Sequence, residues 1–489
     1  MKNDRGKSDR EVVPEKLPNE ADNHAEEAME GSNRAKGNSA KRDKPWTLSQ
    51  TGLPSALERV GQAARQDRKI RFTALMHHIY DVGRLREAYK AVAHDAAAGI
   101  DGETWQHYGE KLEENLQDLS GRLARGAYRA RPVRRVYIEK ADGRKRPLGV
   151  PALEDKIVQR SAVAVLNAIY EVDFLGFSYG FRPGRSPHQA LDAVAYGMWK
   201  KMVNWVLDAD LQSFFDTLEH EWLVKFLEHR IADQRVIRLI QKWLNAGVLE
   251  DGKRMVSEVG TVQGGSISPL LANIYLHYVL DLWIEQWRKT RAKGDVLIVR
   301  FADDFVAGCQ HREEAERLLE ELRERLTKFG LKLHPDKTRL IEFGRFAQQN
   351  RQERGNGKPE TFNFLGFTHC CGTDLKGKFT VIRKTMRQRM LKKLKAVNLE
   401  LQRRRHLPVG EQGRYVQAVI SGHVRYFGVP LNSRPIRAFR TLVIRLWKKW
   451  LSRRSQRGYL TWDRMQWYIA RWVPHAVICH PYPSARFAR

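Results

Sequence analysis

The chain has 489 residues, room for roughly three domains of ordinary size. Lysine and arginine number 86 against 57 aspartates and glutamates, a formal charge of +29 with a pI near 10.0. At 42% hydrophobic residues this is no disordered polybasic segment, and the expected partner is a polyanion, nucleic acid above all. No apolar run approaches the ~20 residues of a membrane span, and residues 1–5 lack a hydrophobic signal core. Cys309, Cys370, Cys371 and Cys479 show no CxxC spacing. Neither export nor a zinc site is therefore expected, and the expected location is cytoplasmic.

Residues 1–54 are polar and mixed in charge, interrupted by Pro14, Pro18, Gly31, Gly37 and Pro45, and read as a disordered tail. A helical pattern begins near Ser55. It passes a turn at Gly99–Gly102 and continues to about Leu123, giving a helical extension over 55–130. Arg134 to Ile138 then reads as a short strand, followed by the hairpin signal Asp142-Gly143 within KADGRKR (140–146). Such a basic tip suits either solvent or a triphosphate. The loop at 177–187, FSYGFRPGRSP, combines aromatic, Arg and Gly residues that could stack on bases and admit a close backbone.

In WVLDADLQSFFD (205–216), alternation places Asp208 and Asp210 on one strand face, with Trp205, Leu207 and Ala209 on the other. Asp216 reads as a carboxylate in the first turn of a helix. His220-Glu221 opens like a zinc motif, but Val224 stands where the second His is needed. The organising stretch is VLIVRFADDFVAGC (296–309), two apolar strands with Ala302, Asp303 and Asp304 between them. Adjacent carboxylates on a tight turn repel unless a cation is present, and a surface turn is the simpler alternative for such a pair alone. Met next to the Asp208–Asp210 strand in one sheet, they make a two-metal site for in-line phosphoryl transfer.

Beyond Phe367, Met386, Met390, Leu394, Val397 and Leu401 form a helical stripe surrounded by Arg387, Arg389, Lys392, Lys393 and Arg403 to Arg405. A second helix places Phe439, Leu442, Val443, Leu446, Trp447 and Trp450 inward, and Arg445, Lys448, Lys449, Arg453 and Arg454 outward. Basic amphipathic helices suit RNA, membrane surfaces or partner helices.

These blocks, KADGRKRPLGVPALEDKIVQR (140–160), YGFRPGRSPHQAL (179–191), LDADLQSFFD (207–216), QGGSISPLLANIYL (263–276), RFADDF (300–305), GLKLHPDKTRLIEF (330–343) and FNFLGF (362–367), resemble in order those of group II intron-encoded reverse transcriptases/maturases. The resemblance covers nearly everything after residue 55. It implies an α+β right-hand polymerase: fingers and palm with a central antiparallel sheet over 131–373, then a helical thumb and X/maturase RNA-binding domain over 374–489. It makes Asp210, Asp303 and Asp304 the catalytic carboxylates holding two Mg²⁺ ions, with Mn²⁺ as the alternative, and adds the Leu211 carbonyl as a metal contact. Lys140 and Arg146 then hold the triphosphate, Phe215 gates the sugar, and Gln263 bonds the incoming nucleotide. Lys337 is a candidate proton donor, although a surface role is the stronger reading of its sequence.

The implied nucleic-acid contacts are Arg387, Lys392, Lys393, Lys448, Lys449, Arg453 and Arg454. The implied partners are group II intron RNA, an RNA template, a DNA primer or target and deoxynucleoside triphosphates. No membrane is implied, and the location is nucleoid- or ribonucleoprotein-associated. Two departures stand out: Phe301 replaces the usual Tyr before Ala-Asp-Asp, and Val262 the usual Pro before the Gln. The chain ends at Arg489, so the HNH endonuclease into which related proteins often continue is not expected. Alternatives are an RNA-dependent RNA polymerase, for which Asp210 and Asp216 have the spacing, a splicing cofactor with little polymerase activity, and an intron-independent enzyme of defence or repair.

Overall fold

Strands with near-continuous apolar side chains form the centre of the molecule. The strands are β1 (Val133–Glu139), β2 (Lys145–Val150), β3 (Trp205–Asp210), β4 (Val248–Glu250), β5 (Lys253–Met255), β6 (Val296–Phe301), β7 (Asp304–Cys309), β8 (Arg339–Glu342), β9 (Phe362–Phe364), β10 (Phe367–Thr373) and β11 (Phe379–Thr385). The computed structural model describes residues 55–139, 145–250, 253–255, 260, 264–374, 377–455 and 458–487. The tail expected at 1–54, Lys140, the Asp142-Gly143 turn, Val262 and Gln263 lie outside the described residues.

The central sheet has the order β6-β7-β3-β8, antiparallel throughout. Both its faces are covered. Leu207, Ala209, Ile298, Phe305 and Ala307 enter a large core shared with helices Leu153–Asp173, Ser268–Leu276 and Arg312–Thr327. Val206, Leu297, Val299, Val306 and Ile341 enter a second core under helix Pro187–Lys200. Near-continuous apolar runs in β6 and β7 are what double coverage requires.

A second sheet, β2-β1-β4-β5, combines the antiparallel β1–β2 hairpin with a parallel β1–β4 pairing. Pro147 fits in β2 because that strand is an edge, where a missing N–H costs no ladder bond. Ahead of this sheet the chain is helical. Its first helix, Ala56–Gln66, opens with a capping box between Ser55 and Glu58. A third sheet, β11-β10-β9, carries the chain to Thr385.

Helices Arg387–Arg403, Val409–Phe427, Ser433–Ser452 and Trp462–Trp472 then share a separate core of Leu394, Val397, Leu401, Val416, Ile420, Phe439, Val443, Trp447 and Met465. Helix Pro483–Phe487 returns to the second core. There Phe487 stacks on Tyr196 at 5.4 Å, and Arg486 pairs with the buried Asp192 at 2.8 Å. Arg383 of β11 holds the other oxygen of the same carboxylate.

A second buried ion pair ties the central sheet to the helix and loop packed on it. The π-helical turn His277–Asp281 carries Asp281 into the core, where Arg300 of β6 donates to both carboxylate oxygens (2.7 and 2.5 Å). Arg300 also donates to Asn273 Oδ1 (3.0 Å), the Ala302 carbonyl (2.9 Å) and Ser178 Oγ (2.7 Å). Neither charged residue is exposed. Removing one partner strands a charge in the core, so Arg300→Met is expected to cost about 3–5 kcal/mol, while Arg300→Met with Asp281→Leu recovers most of it. Thermal and urea unfolding of the single and double variants checks this; equal melting temperatures for wild type and Arg300→Met would overturn the assignment.

Candidate active site at the carboxylate end of the central sheet

Asp210 ends β3 and Asp304 begins β7, and the register sets them directly opposite each other. Phe301 pairs with Asp304, so the β6–β7 connection is the two-residue turn Ala302-Asp303. Ala302 has φ +57, a positive value that Asp303 does not share, so the tight turn holds a non-glycine residue at its strained position. The turn is braced by the Arg300 guanidinium on the Ala302 carbonyl and by a close backbone approach from the 177–187 loop. A Cβ on Gly180 would lie 2.2 Å from the Ala302 nitrogen. Asn273 donates to the Gly180 carbonyl at 2.6 Å, and the Tyr179 amide to the Arg300 carbonyl at 2.9 Å.

Like charges are crowded at this end. Burial pushes the Asp304 carboxyl well above the usual range, and Asp303, Asp208 and Asp210 push it further; Arg389 partly offsets them. Burial likewise raises Asp208 to about 6, against the pull of Arg339, whose Nη2 lies 3.4 Å away. Asp210 is held by Lys337, Nζ to Oδ2 2.5 Å. Lys337, read from sequence as chiefly a surface residue, thus stands on a catalytic candidate. Asp208 and Arg339 are further participants; the two-residue alternation through Asp208 was their only signal.

The other sequence candidates fall as follows. The bridge between Leu211 and Leu333 uses the Asp210 carbonyl and the Gln212 amide, hydrogen bonds that do not engage the Leu211 carbonyl. Phe214 is core, whereas Phe215 is only partly buried, its ring 5.5 Å from that of Phe214 in an edge contact. Arg146 lies in β2, its side chain outside the described set, and Lys140 and Gln263 are outside it altogether. Gly264, next to Gln263, has φ +117, and a Cβ there would lie 2.4 Å from the Gly149 carbonyl oxygen. Its glycine requirement comes both from this positive φ and from packing on the 140–160 block.

The 177–187 loop departs from the base-stacking expectation. Phe177 and Tyr179 are core residues, and Arg182 is buried on Glu171 and the carbonyls of Leu175 and Ser178. Only Phe181 of its aromatics is exposed. The loop is a brace because its polar groups find partners inside the protein.

Among the described residues no three acidic, His or Cys side chains form a closed cage for a metal ion. The open set still fits Mg²⁺, which commonly takes one or two carboxylates and completes its shell with water and substrate phosphates. All donors present are hard oxygens, and a cation is what their mutual repulsion calls for.

Of the expected nucleic-acid contacts, Arg387, Lys392, Lys393, Lys449 and Arg453 are exposed. Arg454 instead donates to the Leu407 carbonyl at 3.0 Å, and Lys448 lies over the rings of Tyr459 and Trp462. No helix among the described residues is long and apolar enough to cross a membrane.

Residues 138–369 match the family described as reverse transcriptase (RNA-dependent DNA polymerase). The chain is 36% identical over 310 residues to protein YkfC of Escherichia coli (strain K12), covering 57% of this chain and 81% of that protein. It is 35% identical over 231 residues to the group II intron-encoded protein LtrA of Lactococcus lactis subsp. cremoris, covering 47% of this chain but 38% of LtrA. A 91 kDa protein in the cob intron of Schizosaccharomyces pombe is 47% identical over 154 residues, 32% of this chain and 19% of that protein. With the ordered sequence blocks and the carboxylate end of the sheet, these matches place the chain in the family of group II intron reverse transcriptases/maturases.

Proposed function

We propose that the chain is an RNA-directed DNA polymerase that also binds a group II intron RNA as a maturase. The observation that carries the polymerase half is the register of β3 against β7, which brings Asp210 level with Asp304 beside the Asp303 turn. Asp210, Asp303, Asp304 and the Leu211 carbonyl would hold two Mg²⁺ ions, with Mn²⁺ as the alternative; such ions activate the primer 3′-hydroxyl and neutralise charge on the transferring phosphate. The protein's own part is positioning. The braced turn fixes Asp303 and Asp304, and Lys337, already on Asp210, is placed to exchange a carboxylate for a departing pyrophosphate. Lys140, and Arg146 of β2, hold the triphosphate, Gln263 bonds the incoming nucleotide, and the partly buried Phe215 faces its sugar. In this reading 131–373 are fingers and palm, and 374–489 are thumb and X domain.

The maturase half rests on the helices after Arg387, whose exposed cations grip phosphates without requiring the carboxylates. In splicing the RNA supplies the chemistry, so the protein need only favour the active RNA fold by binding it.

Asp303→Asn is expected to lower complementary-DNA synthesis on a primed RNA template by roughly 10²–10³-fold or more; substantial residual synthesis would remove the metal assignment. Phe215→Ala is expected to raise ribonucleotide use relative to deoxynucleotide use in the same assay, and an unchanged ratio would return Phe215 to packing alone. Asp304→Ala is expected to abolish DNA synthesis while leaving intron binding and assisted splicing at limiting Mg²⁺ largely intact. Loss of both activities in a folded Asp304→Ala protein would show that the two functions share one surface.

A further inference from the structure

The basic patch on helix Ser433–Ser452 is more than a set of point charges. Lys448 lies with its ammonium 4.9 Å from the ring centroid of Tyr459 and 5.1 Å from that of Trp462, one cation shared by two rings. Tyr459 stays 75% exposed and Trp462 48%. Soluble proteins normally bury rings of this size, and an exposed pair rimmed by charge marks a binding surface. The exposed Lys449 near the end of the same helix, and the exposed Arg453 that caps it, both lie over the Trp450 ring, at 5.1 and 5.7 Å. The cation–π contacts also restrict the rings, so less freedom is lost when something stacks on them.

We infer that Tyr459 and Trp462 form a stacking platform for unpaired nucleobases, with Lys449 and Arg453 taking the flanking phosphates. The occupant is single-stranded RNA. Its bases offer flat π faces to the rings and its backbone the negative charge the patch lacks, a combination that duplex RNA, with its bases stacked inside, cannot present. Phosphate contacts alone do not discriminate folded from unfolded strands, so this platform gives the basic domain a preference for splayed-out loops and ends. The inference rests on the nucleic-acid reading of the basic helices and adds to it the kind of strand they prefer.

The test uses the full chain and two probes, an unstructured oligouridylate and a duplex RNA of equal length, read by fluorescence anisotropy over a salt series. Replacing Tyr459 and Trp462 together with Ala is expected to weaken oligouridylate binding by about 5- to 150-fold for each base lost from a ring. Duplex affinity and the salt slope should be unchanged, because no phosphate contact is removed. Trp462→Phe is expected to keep most of the affinity, and Trp462→Leu, which retains apolar area without a π face, to behave like Ala; this pair separates stacking from any loss of folding. Equal oligouridylate binding by wild type and the double variant would overturn the platform, as would equal losses on both probes. Unchanged RNA binding with altered sedimentation would assign the rings to contact between protein copies. A wild-type chain that bound neither probe would instead sink the nucleic-acid reading itself.

Discussion

The pair Arg300–Asp281 is the interaction on which the rest depends. Removing two such charges from water costs several kcal/mol for each ion, and mutual attraction repays this only when every remaining proton finds an acceptor. Arg300 meets that demand by spending its fork on Asp281, Asn273, Ser178 and the Ala302 carbonyl. A lysine could not, since a point ammonium lacks the planar spread of donors. The partners come from four separate stretches: the π turn, the helix before it, the 177–187 loop and the acidic hairpin. A network of this kind fixes geometry more than it adds stability.

Fixed geometry matters because the acidic end works against its own fold. Ala302 occupies a left-handed conformation that costs an L residue roughly 1–2 kcal/mol, and Asp304 sits among three other carboxylates. Strain and repulsion of this sort persist only where the surroundings over-determine the backbone. Gly180 pressed on the Ala302 nitrogen, and Arg300 beneath its carbonyl, supply that constraint from two sides.

The strands β3, β6 and β7 were legible because alternation and apolar runs are local signals, and the ordered blocks identified their company. Register was not legible, since pairing Asp210 with Asp304 joins positions far apart in sequence. Lys337 was named as a candidate proton donor, but its contact with Asp210, 127 residues away, was illegible for the same reason. Arg300 did leave a trace, a lone charge in an apolar strand, although only the fold shows what it holds. Composition misled in the 177–187 loop: aromatic and Arg residues look alike whether they await a base or, as with Tyr179 and Arg182, fill a core. In the basic helices, periodicity placed the inward residues well, Trp447 and Val443 being fully buried. It could not foresee that the Lys448 ammonium is taken up by rings from beyond its own helix.

The clasp at Asp192 bears on how the C-terminal bundle can move. Covalently the bundle leaves the sheets after β11, and its far end is fastened back through Arg486 and Phe487 to helix Pro187–Lys200. Arg383, at the root of the bundle, grips the same carboxylate. Between these two ends Asn432 bonds Thr385, the Tyr426 hydroxyl donates to the Leu365 carbonyl, and His188 meets the Tyr426 carbonyl. A body tied to its base at one place can swing, whereas one tied at several is held in register. Asp192 acts here as a noncovalent staple, closing 383–486 into a loop through one buried carboxylate.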